Sequence, residues 1–466
     1  MPTRRSAKFS LAWYIVVISS LFAAVILYCD FDKPDYYFLL PLLPLTFATI
    51  NIAAVKVYEN IYKNIGLILV IGLYYCRIVI VPVIMSIGNY SSLQKYNVFQ
   101  NMPSAIFLMI YELIIAYMVL YLTAGRSGCI EDENAAADIS SSISTGAFKT
   151  IIVCILLFDI SVFIFIPESR RLYIDIFKAM RQTDYEIFYI DDVISRGSLK
   201  RACVTLYSMT MEFVRIFVPA YFMISIRKKS GEKLIGIILS IPFILAQFLL
   251  VSNTQANSIL CALVLMLLIA KLYPSWSAKI YRVSLMFGIL FIVCYFAFKH
   301  RMPSNLYGGM TMGERASQLA NAYFSGPDNI AAVFNVTTQD KWTPLFYTLI
   351  SSIPFNGTLF GIEGSNFSSL YNYYNGSLFQ IAPCIGESYF YFGAVLSPIV
   401  PGIFVNLAIR YGRKVQMKIS LWKYVTYIYF ILLLAISPVM YNGTIFLKTF
   451  METILPMMIL SSLSKG

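Results

Sequence analysis

Long apolar runs alternate with shorter polar segments along most of this chain. A helix needs about 20 residues to cross a hydrocarbon core of roughly 30 Å. Twelve runs approach this length, near residues 11–28, 36–55, 65–88, 104–122, 150–166, 203–226, 234–252, 259–272, 283–298, 389–409, 421–439 and 444–462. The pattern predicts an all-α, polytopic integral membrane protein with about 12 transmembrane helices.

Two long segments, residues 167–202 and 299–388, break this alternation. The first mixes charged residues with tyrosines, and the second is rich in polar, aromatic and glycine residues. A simple carrier or pore has little use for such long segments, whereas an enzyme that acts on a large substrate at the membrane surface does. We therefore treat residues 1–466 as one membrane domain and look for function in these two segments.

The second long segment carries helical signals of its own. Gly313 begins a stretch in which four residues recur at helical spacing and share one face: Ala316, Leu319, Ala320 and Tyr323. The sequence Ser325-Gly326-Pro327 is expected to end this helix. Residues 343–355 are apolar but too short to span a bilayer comfortably, so they predict an interfacial or re-entrant helix.

Composition and charge agree with a membrane protein. Hydrophobic residues make up 58% of the chain and charged residues 13%, which is unlike a water-soluble domain of this length. Basic residues collect at the amino terminus and in alternate short loops: Arg4, Arg5 and Lys8; Lys56 and Lys63; Arg126 and Lys149; Arg227, Lys228, Lys229 and Lys233; Lys271, Lys279 and Arg282; Arg410, Arg413, Lys414, Lys418 and Lys423. By the positive-inside rule both termini are cytoplasmic and the two long segments face outward. The net charge of +12 is then a feature of topology, and we predict no nucleic-acid partner.

Ionisable residues inside the apolar runs are the next candidates for function, because each costs about 2.5 to 3.5 kcal/mol at a helix centre. They are Arg77, Glu112, Asp159, Glu212, Arg215 and Lys448. Glu212 and Arg215 lie three residues apart and can pair on one helix face, which is a structural alternative to a functional role. Arg77 and Arg215 suit a diphosphate or a carboxylate if they face a cavity.

The composition of the second long segment suits sugar recognition, although polar loops can have it for other reasons. Residues 356–376 combine asparagines, tyrosines and glycines, and aromatic faces pack on sugar rings while amides bond sugar hydroxyls. Cysteines and the single histidine show no metal-ligand or redox spacing. We therefore predict no metal and no other cofactor.

Taken together, twelve spans, cytoplasmic ends and enlarged third and fifth outer loops resemble the Wzy-type O-antigen polymerases of bacteria. In that family an Arg followed at a distance by a Gly recurs in both loops. Here Arg315 and Gly326 enclose ten residues, and Arg181 and Gly197 enclose fifteen. The stretches Tyr323–Pro327 and Ile385–Gly393 also look like stretches of polysaccharide polymerases.

The resemblance implies a glycosyltransferase of the bacterial cytoplasmic (inner) membrane. Such an enzyme transfers a growing glycan from undecaprenyl diphosphate to a new lipid-linked repeat unit at the outer face, which builds O-antigen or capsular polysaccharide. Membrane lipid, a flippase and a chain-length regulator are the partners that it implies. The reaction needs cations for the diphosphate and a base for the acceptor hydroxyl.

The resemblance and this chemistry together give the site residues. Arg315, Arg301 and Arg181 are candidates for diphosphate binding, and Arg77 and Arg215 for support. Gly197, Gly326 and Tyr323 belong to the substrate-binding stretches. His300, which resembles a loop histidine of O-antigen ligases, and the carboxylates of Glu314, Glu363 and Glu387 are alternatives for the base.

Two other functions stay open at this stage. An O-antigen ligase or another lipid-linked glycosyltransferase would share the same chemistry. A lipid-linked oligosaccharide flippase or transporter would share the twelve spans and the buried charges, although such proteins usually have short outer loops.

Overall fold

A computed structural model describes residues 4–58, 61, 64–93, 98–124, 146–172, 199–249, 255–283, 286, 310–356, 364–377, 380–417 and 419–463. Throughout these residues the backbone is helical or in turns and bends, with no β-strand. The all-α prediction is confirmed for this part of the chain. Five predicted site residues lie outside it, namely Arg181, Gly197, His300, Arg301 and Glu363, as does most of the 167–202 segment.

The principal helices are numbered α1 to α15 in chain order. They are α1 (Arg4–Tyr28), α2 (Leu42–Ala53), α3 (Ile65–Ile87), α4 (Met102–Ala124), α5 (Gly146–Phe165), α6 (Leu199–Ser230), α7 (Leu234–Leu249), α8 (Gln255–Leu272), α9 (Met312–Tyr323), α10 (Trp342–Ser351), α11 (Phe367–Tyr374), α12 (Cys384–Leu396), α13 (Ile399–Lys414), α14 (Leu421–Met440) and α15 (Gly443–Leu463). A π-helical turn interrupts α3 at Cys76–Ile80 and α15 at Phe450–Ile454.

Eight of the described helices are long and apolar enough to cross a membrane, and ten spans result if each of two bent helix pairs counts as one. The eight correspond to predicted spans 11–28, 36–55, 65–88, 104–122, 150–166, 203–226, 421–439 and 444–462. A multi-pass membrane protein is therefore confirmed at this level. Predicted span 283–298 lies outside the described residues apart from 283 and 286.

The predicted span 389–409 is wrong as a single straight helix. Helices α12 and α13 meet there at 105°. Gly393, with φ of +76°, adds a second break inside α12, in a backbone region that only glycine adopts readily. Gly393 and Pro398 interrupt the helix without adding charge, so the apolar run conceals the bend. Helix α8 and the segment Pro274–Val283 form the other bent pair, at 108°.

Helix α14 is the centre of the bundle, and most of its side chains are buried. Helices α3, α6, α8, α12, α13 and α15 all pack against it. One group of helices comprises α1 to α4 with α13, and another comprises α5 to α8. The two groups therefore meet at α14.

The described part of the 299–388 segment packs into the bundle. Helix α9 lies on the end of α3, the short helix Pro327–Ala331 lies on α4, and α10 contacts α11 and α15. The contact of α9 with α3 depends on glycine, because a Cβ on Gly88 would lie 2.3 Å from the Gly313 carbonyl oxygen and 2.5 Å from Ser317 Cβ. Small residues at helix crossings allow such close approach in membranes.

Candidate functional site

Arg77 forms a buried ion pair with Glu112. Arg77 lies in the π-helical turn of α3, and Glu112 lies on α4. The Arg77 Nη1 donates to Glu112 Oε1 and Oε2 at 3.0 and 2.9 Å, and Tyr74 Oη donates to Glu112 Oε1 at 3.0 Å. The two charged side chains are 0% and 1% exposed. In a medium of low dielectric constant such a pair holds because each charge has its partner.

Arg77 also donates to two backbone carbonyls. Its Nε donates to the Ser325 carbonyl at 3.1 Å, and its Nη1 donates to the Pro438 carbonyl at 3.2 Å. Pro438 lies in the last turn of α14, where carbonyls have no partner within the helix. The guanidinium therefore joins α3, α4, α14 and the 299–388 segment. We call Tyr74, Arg77, Glu112 and these two carbonyls the Arg77 cluster.

One nitrogen of the Arg77 guanidinium has no hydrogen-bond acceptor in the protein. Within the described part of the chain, Arg77 Nη2 and the Ser325 hydroxyl are buried without a hydrogen-bond partner. Buried polar atoms are normally paired with protein or ordered water.

Asp328, which the sequence analysis did not select, fixes the turn that reaches Arg77. It is buried, and its carboxylate accepts hydrogen bonds from Tyr37 Oη at 2.5 Å and from Asn321 Nδ2. Burial raises the pKa of the Asp328 carboxyl to about 6, against the opposing effect of these hydrogen bonds. The available signal was its place directly after the helix stop Ser325-Gly326-Pro327, at the start of a short helix.

The same turn explains why a glycine occupies position 326. A Cβ there would lie 2.1 Å from Asn321 Oδ1. The Gly326 amide donates to the Asn321 carbonyl at 2.8 Å, and the preceding Ser325 has φ of +46°. Gly326 is therefore required by the tight turn that brings the Ser325 carbonyl to Arg77.

Helix α9 begins and ends as predicted, and its amino terminus is closed by a capping box between Thr311 and Glu314. The carboxylate of Glu314, a candidate base, is used in that cap.

Burial on α9 extends beyond its apolar face. Leu319 and Ala320 of that face are buried and Tyr323 is half exposed, and the polar residues Arg315, Ser317, Gln318 and Asn321 are buried as well. Ser317 Oγ donates to the Ser91 carbonyl at 2.8 Å, and Gln318 Nε2 donates to Ser91 Oγ at 2.9 Å. The apolar spacing correctly predicted a helix, and polar side chains add to its packing.

Arg215, on α6, has mostly neutral partners. Its Nε donates to Gln247 Oε1 at 3.3 Å, and its Nη2 donates to the Gln247 carbonyl at 3.2 Å and to Ser258 Oγ at 2.8 Å. Glu212 Oε1 lies 3.7 Å from Arg215 Nη1. The predicted Glu212–Arg215 pair is therefore present but loose. We call these four residues the Arg215 cluster.

The two clusters have no residue in common. The structure brings Arg77 together with the turn at Gly326, which follows the helix α9 that carries Arg315. Arg215 bonds to Gln247 of α7 and Ser258 of α8 instead.

Glu387 is committed to helix α15. Its carboxylate accepts from the Gly443 amide at 2.5 Å and from Thr444 Oγ1 at 2.8 Å. A carboxylate at a helix amino terminus satisfies unpaired amides and the positive end of the dipole. This geometry favours a positioning role for Glu387 over proton transfer.

Among the described residues, no group of three or more His, Cys, Asp or Glu side chains could hold a metal ion. The absence of a cofactor stays a prediction. Comparison of the chain with known proteins finds no match among protein-family models, curated proteins or solved structures.

Proposed function

We propose that this protein joins oligosaccharide repeat units carried on undecaprenyl diphosphate into O-antigen or capsular polysaccharide. The reaction would take place at the outer face of the bacterial cytoplasmic membrane. Twelve spans with both termini in the cytoplasm are part of the proposal, since they place the 299–388 segment on the side where the lipid-linked glycan is presented.

One observation carries the proposal. A buried polar side of α9, with Arg315 on it, continues through the Ser325–Asp328 turn to the membrane-embedded Arg77. Guanidinium groups bind phosphate oxygens as planar, bidentate donors. A lipid-linked diphosphate lies where membrane meets water, and a site that joins a surface segment to a span suits such a substrate.

The candidate cations have different proposed roles. The charge of Arg77 is balanced by Glu112, so Arg77 serves to hold the Ser325 turn in place. Arg315, which the resemblance selects, is proposed to bind the diphosphate and stabilise its developing charge. Arg301 and Arg181 are proposed in the same role, and His300 as the base.

The test is a gel profile of surface polysaccharide from a strain that lacks the gene and carries a complementing copy. The copies are wild type, Arg315→Ala, Arg315→Lys and the control Arg410→Ala, which changes an exposed guanidinium on α13. We expect Arg315→Ala to abolish the ladder and leave single-repeat material. Arg315→Lys should restore it only in part, because Lys keeps the charge without the bidentate geometry.

Other profiles would overturn the proposal. Loss of single-repeat material along with the ladder in the deletion strain would indicate flipping or ligation. A full ladder from Arg315→Ala would remove Arg315 from the reaction. Equal membrane levels and equal unfolding temperatures of the four proteins are needed, so that loss of folding is not read as loss of catalysis.

A further inference from the structure

Helix α10 is amphipathic, and its apolar face is the exposed one. Four large apolar side chains with spacings of four, three and four residues project from it and from the turn that follows it. They are Trp342, Phe346, Leu349 and Ile353, which are 77%, 57%, 51% and 48% exposed. In a segment surrounded by water this stripe would face the protein core.

The buried side of α10 is the polar or small one. Pro344, Thr348 and Ser352 are buried and share a face. Thr348 Oγ1 and Tyr391 Oη of α12 are 2.9 Å apart and hydrogen-bonded, and Ser352 Oγ donates to the Thr348 carbonyl at 2.8 Å. The helix is therefore held by polar contacts and presents its apolar stripe outward.

The ends of the stripe indicate what covers it. Asp340 accepts hydrogen bonds from the amides of Trp342 and Thr343, and the exposed Lys341 precedes the tryptophan. A tryptophan beside charged residues is typical of the boundary between hydrocarbon and headgroups. Helix α12, which α10 contacts through the Thr348–Tyr391 hydrogen bond, also exposes the apolar residues Val395 and Leu396. Helices α12 and α13 meet at 105°, so α12 runs nearly parallel to the membrane if α13 crosses it.

We infer that α10 lies in the outer leaflet, with the stripe Trp342, Phe346, Leu349 and Ile353 in contact with phospholipid acyl chains. Lipid is favoured over a second protein because the spans themselves expose large apolar side chains, as α1 does with Phe22 and Val25. This part of the 299–388 segment then lies at the depth of the lipid headgroups. The choice of the outer leaflet rests on the proposed topology, whereas the contact with acyl chains depends only on membrane insertion and goes beyond the proposed reaction.

Tryptophan quenching in nanodiscs tests this depth on the full chain. The chain has four tryptophans, so the difference between wild type and Trp342→Phe isolates Trp342. The probes are phospholipid with a nitroxide on the acyl chain and iodide in the water. Trp422, which is 1% exposed in the bundle, is the matched control through Trp422→Phe.

We expect acyl-chain nitroxide to remove most of the Trp342 signal, with little loss to iodide and with no change in the Trp422 signal. A second variant, Phe346→Trp in the Trp342→Phe background, should be quenched by the lipid nitroxide as well. Quenching by iodide alone would show that the stripe faces water. Protection from both quenchers would show that protein covers it, and either result would overturn the inference whatever the polysaccharide test gives.

Discussion

The Arg77 and Arg215 clusters each contain a buried arginine, but the two arginines have different hydrogen-bond partners. In both, an arginine of one span donates to a carbonyl in the last turn of another helix, Pro438 of α14 or Gln247 of α7. Arg77 adds a carboxylate at hydrogen-bond distance and a bond to the 299–388 segment, whereas Arg215 has an amide, a hydroxyl and a loosely placed carboxylate. A buried arginine can thus serve only to join helices, as Arg215 does. Arg77 differs because it also bonds to the 299–388 segment.

The strongest test of the difference is Glu112→Ala against Glu212→Ala. Loss of Glu112 leaves an unbalanced buried charge, which costs about 3 to 5 kcal/mol of unfolding free energy. Loss of Glu212 should cost less, because its carboxylate lies 3.7 Å from Arg215 Nη1 and Arg215 keeps its bonds to Gln247 and Ser258. Unfolding temperatures in detergent measure both. Equal losses would show that the two clusters are equivalent.

The Asp328 carboxylate, in the turn that contacts Arg77, should make the free energy of unfolding depend on pH. Its folded-state pKa of about 6 exceeds the ordinary value of 3.8, so ionisation disfavours the folded state above about pH 6. That cost, about 2 to 3 kcal/mol for this shift, disappears as the pH falls towards 3.8. The unfolding temperature of wild type, relative to that of Asp328→Asn, should therefore rise as the pH is lowered from 7 to 5. A constant difference would contradict the assigned burial.

Crowding at Gly88 tests the link between α9 and α3. Gly88→Ala places a methyl group against the Gly313 carbonyl and should cost about 1 to 3 kcal/mol. It should also separate the Ser325 turn from Arg77, which maleimide labelling of a Ser325→Cys variant would report. Gly72→Ala, also in α3, is the control, since a Cβ there meets nothing within 4 Å. Labelling that does not change with Gly88→Ala would argue against the link.

The smallest effect is expected for Ser258→Ala in the Arg215 cluster. The Arg215 Nη2 loses a 2.8 Å bond but keeps the Gln247 carbonyl at 3.2 Å. The cost should be about 1 kcal/mol, measured as a shift in unfolding temperature. A loss as large as that of Glu112→Ala would mean that the hydroxyl is essential to the cluster.

Local features of this fold were accessible from the sequence, and distant partnerships were not. The helix signals around Gly313 and Pro327 predicted α9, and the three-residue spacing predicted the Glu212–Arg215 pair, because both depend on neighbours in the chain. The bond between Arg77 and Glu112 depends on how α3 and α4 are rotated about their axes. Hydropathy carries little information about that rotation.

The candidate site shows the same limit. Arg315 and Gly326 were selected by resemblance, but the turn held by Asp328 and Tyr37 joins residues that are 291 positions apart. The break at Gly393 was not predicted, because the hydropathy of an apolar run is the same whether the helix is straight or bent. Backbone geometry at a single glycine decided that part of the fold.

The partners of Arg77 are synthesised at very different times. Glu112 follows 35 residues later, whereas Ser325 and Pro438 follow 248 and 361 residues later. At about 5 to 20 residues per second, the two carbonyls leave the ribosome roughly 12 to 50 s and 18 to 72 s after Arg77. Of these partners only Glu112 can neutralise the guanidinium while α3 and α4 enter the bilayer. The ion pair can therefore form before Arg77 gains its contacts with the 299–388 segment and with α14.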